Sequence, residues 1–207
     1  MASHDQTALL TNSVRDLTPS ATLAINERSA ALQSEGRQVF KLGLGQSPFP
    51  VPSPVVESLR EHAGQKDYLA VQGLPELREA IAAWHRRRDN VDAVATRVLV
   101  GPGSKELMFL IQLVHNSVLT IPRPSWVSYA PQAGILNKPV EWIETRQEDG
   151  WRLSPAALDA TCRATPNARR LLILNYPNNP TGLTYDQGQL VELAEVTRDH
   201  GVVVLSD

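Results

Sequence analysis

The stretch Arg170-Leu-Leu-Ile-Leu174-Asn175-Tyr176-Pro177-Asn178-Asn179-Pro180-Thr181-Gly182 decides how this 207-residue chain is read. Leu171–Leu174 is a continuous apolar run, the pattern of a strand covered on both faces. It breaks at once into a loop with two prolines and a glycine. Those residues constrain the backbone and hold two asparagine amides at a strand end. Asparagine also suits a plain turn, so the loop alone leaves both readings open.

Outward from that stretch, strand and helix take turns. Strands are predicted at 97–100, 118–121, 139–144, 170–175 and 202–206. Helices are predicted at 104–115, 125–133, 154–163 and 186–200. Ser154-Pro155 is an N-cap with proline behind it, and Gly201 closes the last helix. Such alternation implies an α/β fold, a mostly parallel sheet with crossover helices. Upstream of 97, residues 1–19 read as an irregular arm and Thr22–Glu35 as a helix stopped by Gly36. Val39–Leu44 is extended, and 45–50 is a turn-rich loop. Ser53 caps a helix running to about His62, and Pro75 opens another with Leu77, Ile81 and Trp84 at helical spacing.

Composition narrows the function classes. The chain is 42% hydrophobic and 20% charged, with net charge −2, so no basic excess exists to neutralise nucleic-acid phosphates. The lone Cys162 excludes an intramolecular disulfide and fits a reducing compartment. Apolar runs fall far short of the about 20 residues that span a membrane. Met1–Thr7 has no apolar core of the signal-peptide kind. The expectation is a cytoplasmic protein that binds neither membrane nor nucleic acid.

In open parallel sheets, ligands bind beyond the carboxyl ends of the strands. Behind 97–100 stands Gly101-Pro-Gly103-Ser104-Lys105, a turn opening a helix. It serves either as a tight turn or as a nest of free N–H groups for an anion. Behind 118–121 comes Trp126, placed either to stack on a flat ligand or to fill the core. Behind 202–206 comes Asp207, whose carboxylate needs a cation, a protonated ring nitrogen or a helix start to cap.

With these residues in this order, the chain resembles the N-terminal half of a fold-type I, pyridoxal-phosphate-dependent aminotransferase of class I/II, the aspartate aminotransferase-like family. Asn179-Pro180-Thr181-Gly182 and Asp207 at the end of the next strand are the specific part. The glycine-rich turn, Trp126, and Tyr68 ahead of Gly73-Leu-Pro-Glu-Leu-Arg78 follow in family order. The resemblance spans about residues 15–207.

The resemblance implies a cofactor, pyridoxal 5'-phosphate, and a division into an arm with a small-domain segment (1–50) and a partial large domain (51–207). It implies that Asp207 keeps the pyridine nitrogen protonated, so that the ring acts as an electron sink. Asn179 is implied to donate to the 3-oxygen and Trp126 to stack on the ring. Gly103, Ser104 and Lys105 are implied to cradle the phosphate. Tyr68 is implied to reach the phosphate of a partner subunit in a homodimer, and Gly45 to close on the substrate carboxylate. No metal is implied.

The family's Schiff-base lysine, a tyrosine just past the aspartate and a late substrate-binding arginine all lie beyond residue 207. The four lysines here, Lys41, Lys66, Lys105 and Lys138, do not match that lysine, so no catalytic residue is assigned within the chain. Two readings follow. One is an aminotransferase, moving an amino group between an amino acid and a 2-oxo acid with a longer chain completing the site. The other is a non-catalytic fragment. C–S lyases and aminocyclopropane-carboxylate synthases share the motifs.

Overall fold

In the computed structural model, which describes residues 9–15, 17, 21–43, 45 and 47–207, four strands form one parallel sheet. They are β1 (Val118–Arg123), β2 (Val140–Glu144), β3 (Arg170–Leu174) and β4 (Val203–Ser206), in the order β2-β1-β3-β4. Eight helices accompany them among the described residues: α1 (Asn12–Arg15), α2 (Ala21–Ser34), α3 (Ser53–His62), α4 (Pro75–Asp89), α5 (Ser104–Val114), α6 (Tyr129–Ile135), α7 (Pro155–Ala164) and α8 (Gln187–Asp199).

The chain divides into two compact units, Met1–Leu17 with Pro102–Asp207, and Thr18–Gly101. The first holds the sheet. Every residue of β3 is buried. Alternation along a strand sends successive side chains to opposite faces. Leu171 and Ile173 accordingly join Met108, Leu119, Ile121, Tyr129 and Ala133 on one face. Leu172 and Leu174 join Ile143, Leu153, Leu158, Cys162 and Leu193 on the other. Helices α5 and α6 thus cover one face, and α7 and α8 the other, as crossover helices on a parallel sheet should.

Polar side chains finish the frame. Ser154 accepts the Ala157 N–H at 3.1 Å and caps α7. Asp186 and Gln189 form a reciprocal capping box at α8, with bonds of 2.9 and 3.0 Å. Arg170 is 3% exposed, yet charged. Its guanidinium grips Glu141 of β2 at 2.8 and 3.2 Å and donates to the carbonyls of Thr161, Thr165 and Ala168. A buried charge persists only with such partners.

In the second unit, Arg78 of α4 donates to the carbonyl oxygens of Val98 (2.9 Å) and Ala95 (2.7 Å). Gly73 takes φ +102°, and a Cβ there would stand 2.6 Å from the Val100 Cβ, so only glycine lets this turn approach.

Several expectations need correction. Residues 97–100 are not a strand of the sheet. Ala95–Arg97 is a 3-10 turn and Val98 is extended, but the Val100 N–H bonds to Gln72 and the Val98 carbonyl to Arg78. The segment's hydrogen bonds go to a turn and a side chain, so no ladder forms. The 202–206 run, read as buried, is a sheet edge with Val203 45% and Val204 41% exposed. Ser53 is the first helical residue rather than the cap, with Pro52 ahead of it. The helix expected at 125–133 begins at Tyr129, which leaves Trp126 in the connection before it. Within the expected N-terminal arm, α1 is one helical turn. Residues 1–8, 16, 18 and 19 of that arm, and Leu44 and Gln46 of the 39–50 stretch, lie outside the described residues.

Candidate active site

Three strand ends and one helix start meet in the sheet-bearing unit. Parallel strands point their carboxyl ends the same way, so the loops behind β1, β3 and β4 gather at one edge. There a cleft of about 240 Å³ is lined by Ser104, Met108, Trp126, Tyr129, Asn175, Asn179 and Asp207. Three of these seven follow a strand, two belong to α5, and two stand where β1 gives way to α6.

Asp207 continues the β3–β4 ladder by one step. Its N–H donates to the Leu174 carbonyl at 3.2 Å, and its own carbonyl accepts the Tyr176 N–H at 3.3 Å. Its carboxylate Oδ2 accepts the Tyr129 hydroxyl. Burial pushes the Tyr129 phenol well above its ordinary value, and the hydrogen bond and charge of Asp207 push it the same way. Tyr129 therefore stays a neutral donor at any ordinary pH. Its ring stands edge-on to Trp126, 80° between planes and 5.3 Å between centroids.

The loop behind β3 braces itself. Asn178 Oδ1 accepts from the Thr181 N–H (3.2 Å) and hydroxyl (2.9 Å), and the Asn178 N–H donates to Leu183 at 2.7 Å. Asn179 has its N–H bound to Asn175 Oδ1 at 2.6 Å. Among the described residues its side-chain amide has no hydrogen-bond partner, and it lines the cleft.

At the other end, Gly103 precedes α5 with φ +113° and ψ 156°, and no side chain caps the helix. The first-turn N–H groups of an uncapped helix are open donors at the positive end of its dipole. Gln132 Nε2 holds the Lys105 carbonyl at 2.8 Å. The Lys105 ammonium sits 5.4 Å from the Trp126 ring centroid.

Of the residues expected from sequence, Ser104, Trp126, Asn179 and Asp207 line this cleft, and Gly103 and Lys105 flank Ser104. Tyr68 and Gly45 belong to the Thr18–Gly101 unit, where Tyr68 is a wholly exposed loop residue. The sequence alone does not single out Tyr129 or Asn175 as site residues.

Residues 37–207 match the family of class I and II aminotransferases. The chain belongs to that family. Aspartate aminotransferase of Geobacillus stearothermophilus is 32% identical over 203 residues, covering 96% of this chain and 51% of the relative. The aspartate/prephenate aminotransferase of Cereibacter sphaeroides is 31% identical over 206 residues, with 97% and 51% covered. Among solved structures, aspartate aminotransferase of Thermus thermophilus with maleate superposes with a TM-score of 0.87. It is 30% identical, and 96% of this chain and 52% of that one are covered. The chain thus spans about half the length of the aminotransferases it matches. Among the described residues, no helix is long and apolar enough to cross a membrane.

Proposed function

We propose that this chain is the cofactor-binding half of a pyridoxal 5'-phosphate-dependent aminotransferase, and that a carboxy-terminal half supplies the Schiff-base lysine. The observation that carries this is the cleft, where one carboxylate, one open amide, one aromatic face and one uncapped helix start converge. That donor set fits a flat, phosphorylated pyridine ring. The α5 N–H groups of Ser104 and Lys105, with Gly103 too small to obstruct, hold a phosphate. Trp126 stacks on the ring. Asn179 donates to the 3-oxygen. Asp207 holds a proton on the ring nitrogen, a charge-assisted contact, while Tyr129 steadies the carboxylate. When bound, the cofactor supplies an electron sink for the substrate's Cα.

Aspartate in the names of the relatives, and maleate bound to the Thermus enzyme, favour a dicarboxylic amino acid as amino donor and a 2-oxo acid as acceptor. Gly45 closes on the substrate carboxylate. Residues 1–50 form the arm and part of a small domain, and 51–207 part of the large one. The enzyme is a cytoplasmic homodimer in which Tyr68 serves the partner's phosphate.

The test is transamination. The complete protein should bind pyridoxal 5'-phosphate and turn over aspartate with 2-oxoglutarate. Residues 1–207 alone should give no turnover. Turnover by residues 1–207 that survives Lys105→Ala, or a complete protein that binds no cofactor, overturns the proposal.

A further inference from the structure

Asn175 is the first residue past β3, and each end of its side-chain amide is used once. Oδ1 accepts the Asn179 N–H at 2.6 Å. Nδ2 donates to the Asp207 main-chain carbonyl at 3.0 Å. The two residues it joins are those proposed above to meet the cofactor's 3-oxygen and its ring nitrogen. The β3–β4 ladder fixes Asp207 through Leu174 and Tyr176. It does not reach Asn179, which lies four residues further along a loop. The bonds of Asn178 run to Thr181, Gly182 and Leu183 and brace the loop only against itself. Among the described residues, the Asn175 side chain is the single hydrogen-bonded bridge between Asn179 and Asp207.

We infer that Asn175 is a positioning residue that sets the spacing between Asn179 and Asp207, and through it the protonation behaviour of the bound cofactor. The inference rests on the aminotransferase reading above. An amide is the group this place requires, since one end must accept and the other must donate. Aspartate keeps the acceptor for Asn179 but loses the donor and sets a negative charge against a carbonyl oxygen. Alanine loses both ends. A pure packing role predicts changes in stability alone. A positioning role predicts a change in the cofactor itself, because the 3-oxygen donor and the ring-nitrogen carboxylate no longer hold their separation.

The experiment uses the complete protein, stripped of cofactor and titrated with pyridoxal 5'-phosphate. It compares wild type, Asn175→Ala, Asn175→Asp and Asn179→Ala, with the double variant Asn175→Ala/Asn179→Ala. The readouts are cofactor affinity, the pH midpoint of the bound cofactor's absorbance, and the melting temperature of the cofactor-free protein. Asn175→Ala should weaken the cofactor about tenfold, the scale of one or two lost hydrogen bonds. It should also displace the absorbance midpoint. Asn175→Asp should fall between alanine and wild type in affinity. The loss from Asn175→Ala should be smaller when Asn179 is already alanine, since coupled residues are not additive. Wild-type affinity and midpoint in Asn175→Ala overturn the inference, as does a fall in melting temperature with neither of them changed. If Asn175→Ala does not fold, an unshifted midpoint in Asn175→Asp overturns it alone. A wild-type protein that binds no cofactor overturns the aminotransferase reading first, and this inference with it.

Discussion

Tyr129 holds the carboxylate on which the proposed chemistry turns. Its ring belongs to the core and its hydroxyl to the cleft, which is how a tyrosine is used when one end is apolar and the other meets a polar group. Phenylalanine at 129 keeps the ring and the edge-on contact with Trp126 and removes only the donor to Asp207. A hydrogen bond to a charged group contributes about 1.5–3 kcal/mol. Tyr129→Phe in the complete protein should therefore lower kcat/KM about ten- to hundredfold with the fold intact. An unchanged kcat/KM would show that Asp207 is held by something else. Because the phenol is pushed up, wild type and Tyr129→Phe should share the same alkaline limb below about pH 10. In the folding equilibrium, a raised pKa stabilises below the unfolded value and is lost as pH climbs through the folded one. Tyr185, raised first by burial, acts with Tyr129. Unfolding should thus become easier above about pH 10, by thermal melts across that range.

At the scale of elements, the same apolar pattern met three fates. Leu171–Leu174 became the centre of the sheet, as its lack of polar alternation predicts. Val98-Leu99-Val100 reads alike, but its backbone bonds go to Gln72 and to the guanidinium of Arg78. Val202–Leu205 feeds β4 (Val203–Ser206), whose one side is unpaired among the described residues. Local sequence states what a segment is able to pair with, and distant segments decide whether it does. The site shows the same limit. Asp207, Asn179, Ser104 and Trp126 were legible because each follows an expected strand. Asn175 and Tyr129 act by contacts across 32 and 78 positions, which no local pattern carries.

Arg170 shows what ties the elements together. It joins β3 to Glu141 of β2 and to the end of α7, and removing it leaves the Glu141 carboxylate without its cation and takes one donor from each of three carbonyls. Arg170→Met should cost about 3 kcal/mol or more, read from urea unfolding of the complete protein. A loss within about 0.5 kcal/mol would mean that the pair is merely tolerated. The link between α7 and α8 is of another kind. Asp159 bonds Arg163 and His200, both at 2.7 Å, and its carboxyl is held below its ordinary 3.8, first by Arg163 and then by His200. A lowered carboxyl pKa stabilises above the unfolded value and is lost as pH falls through the folded one. Melting temperature should drop on acidification below about pH 4, and Asp159→Asn should flatten that drop. Parallel acid profiles for the two proteins would remove Asp159 from the account.

For the molecule as a whole, the sheet's open side sets the behaviour of residues 1–207 in isolation. Among the described residues, strand β4 pairs with β3 on one side only, in the register Leu171–Val203 to Leu174–Ser206. The other side presents unpaired N–H and C=O groups along Val203-Val204-Leu205, which carry no charge and no proline. Such an edge is a template for a strand from another molecule, and edges in soluble proteins are usually blunted by lysine, proline or a bulge. Val203 and Val204 are each more than two-fifths exposed, so their apolar surface adds to the attraction. Leu205 packs against the core, which makes it the wrong place to intervene. The isolated chain should self-associate and melt broadly. Val204→Lys should reduce that association while leaving the helical signal in place, because a lysine ammonium at an edge reaches water when the strand is free and is stranded when another strand docks. Light scattering and thermal melts at a series of concentrations make the comparison. A monomer with one sharp transition at every concentration would mean that the edge is protected by the protein itself. Equal association with and without the lysine would move the contact away from β4.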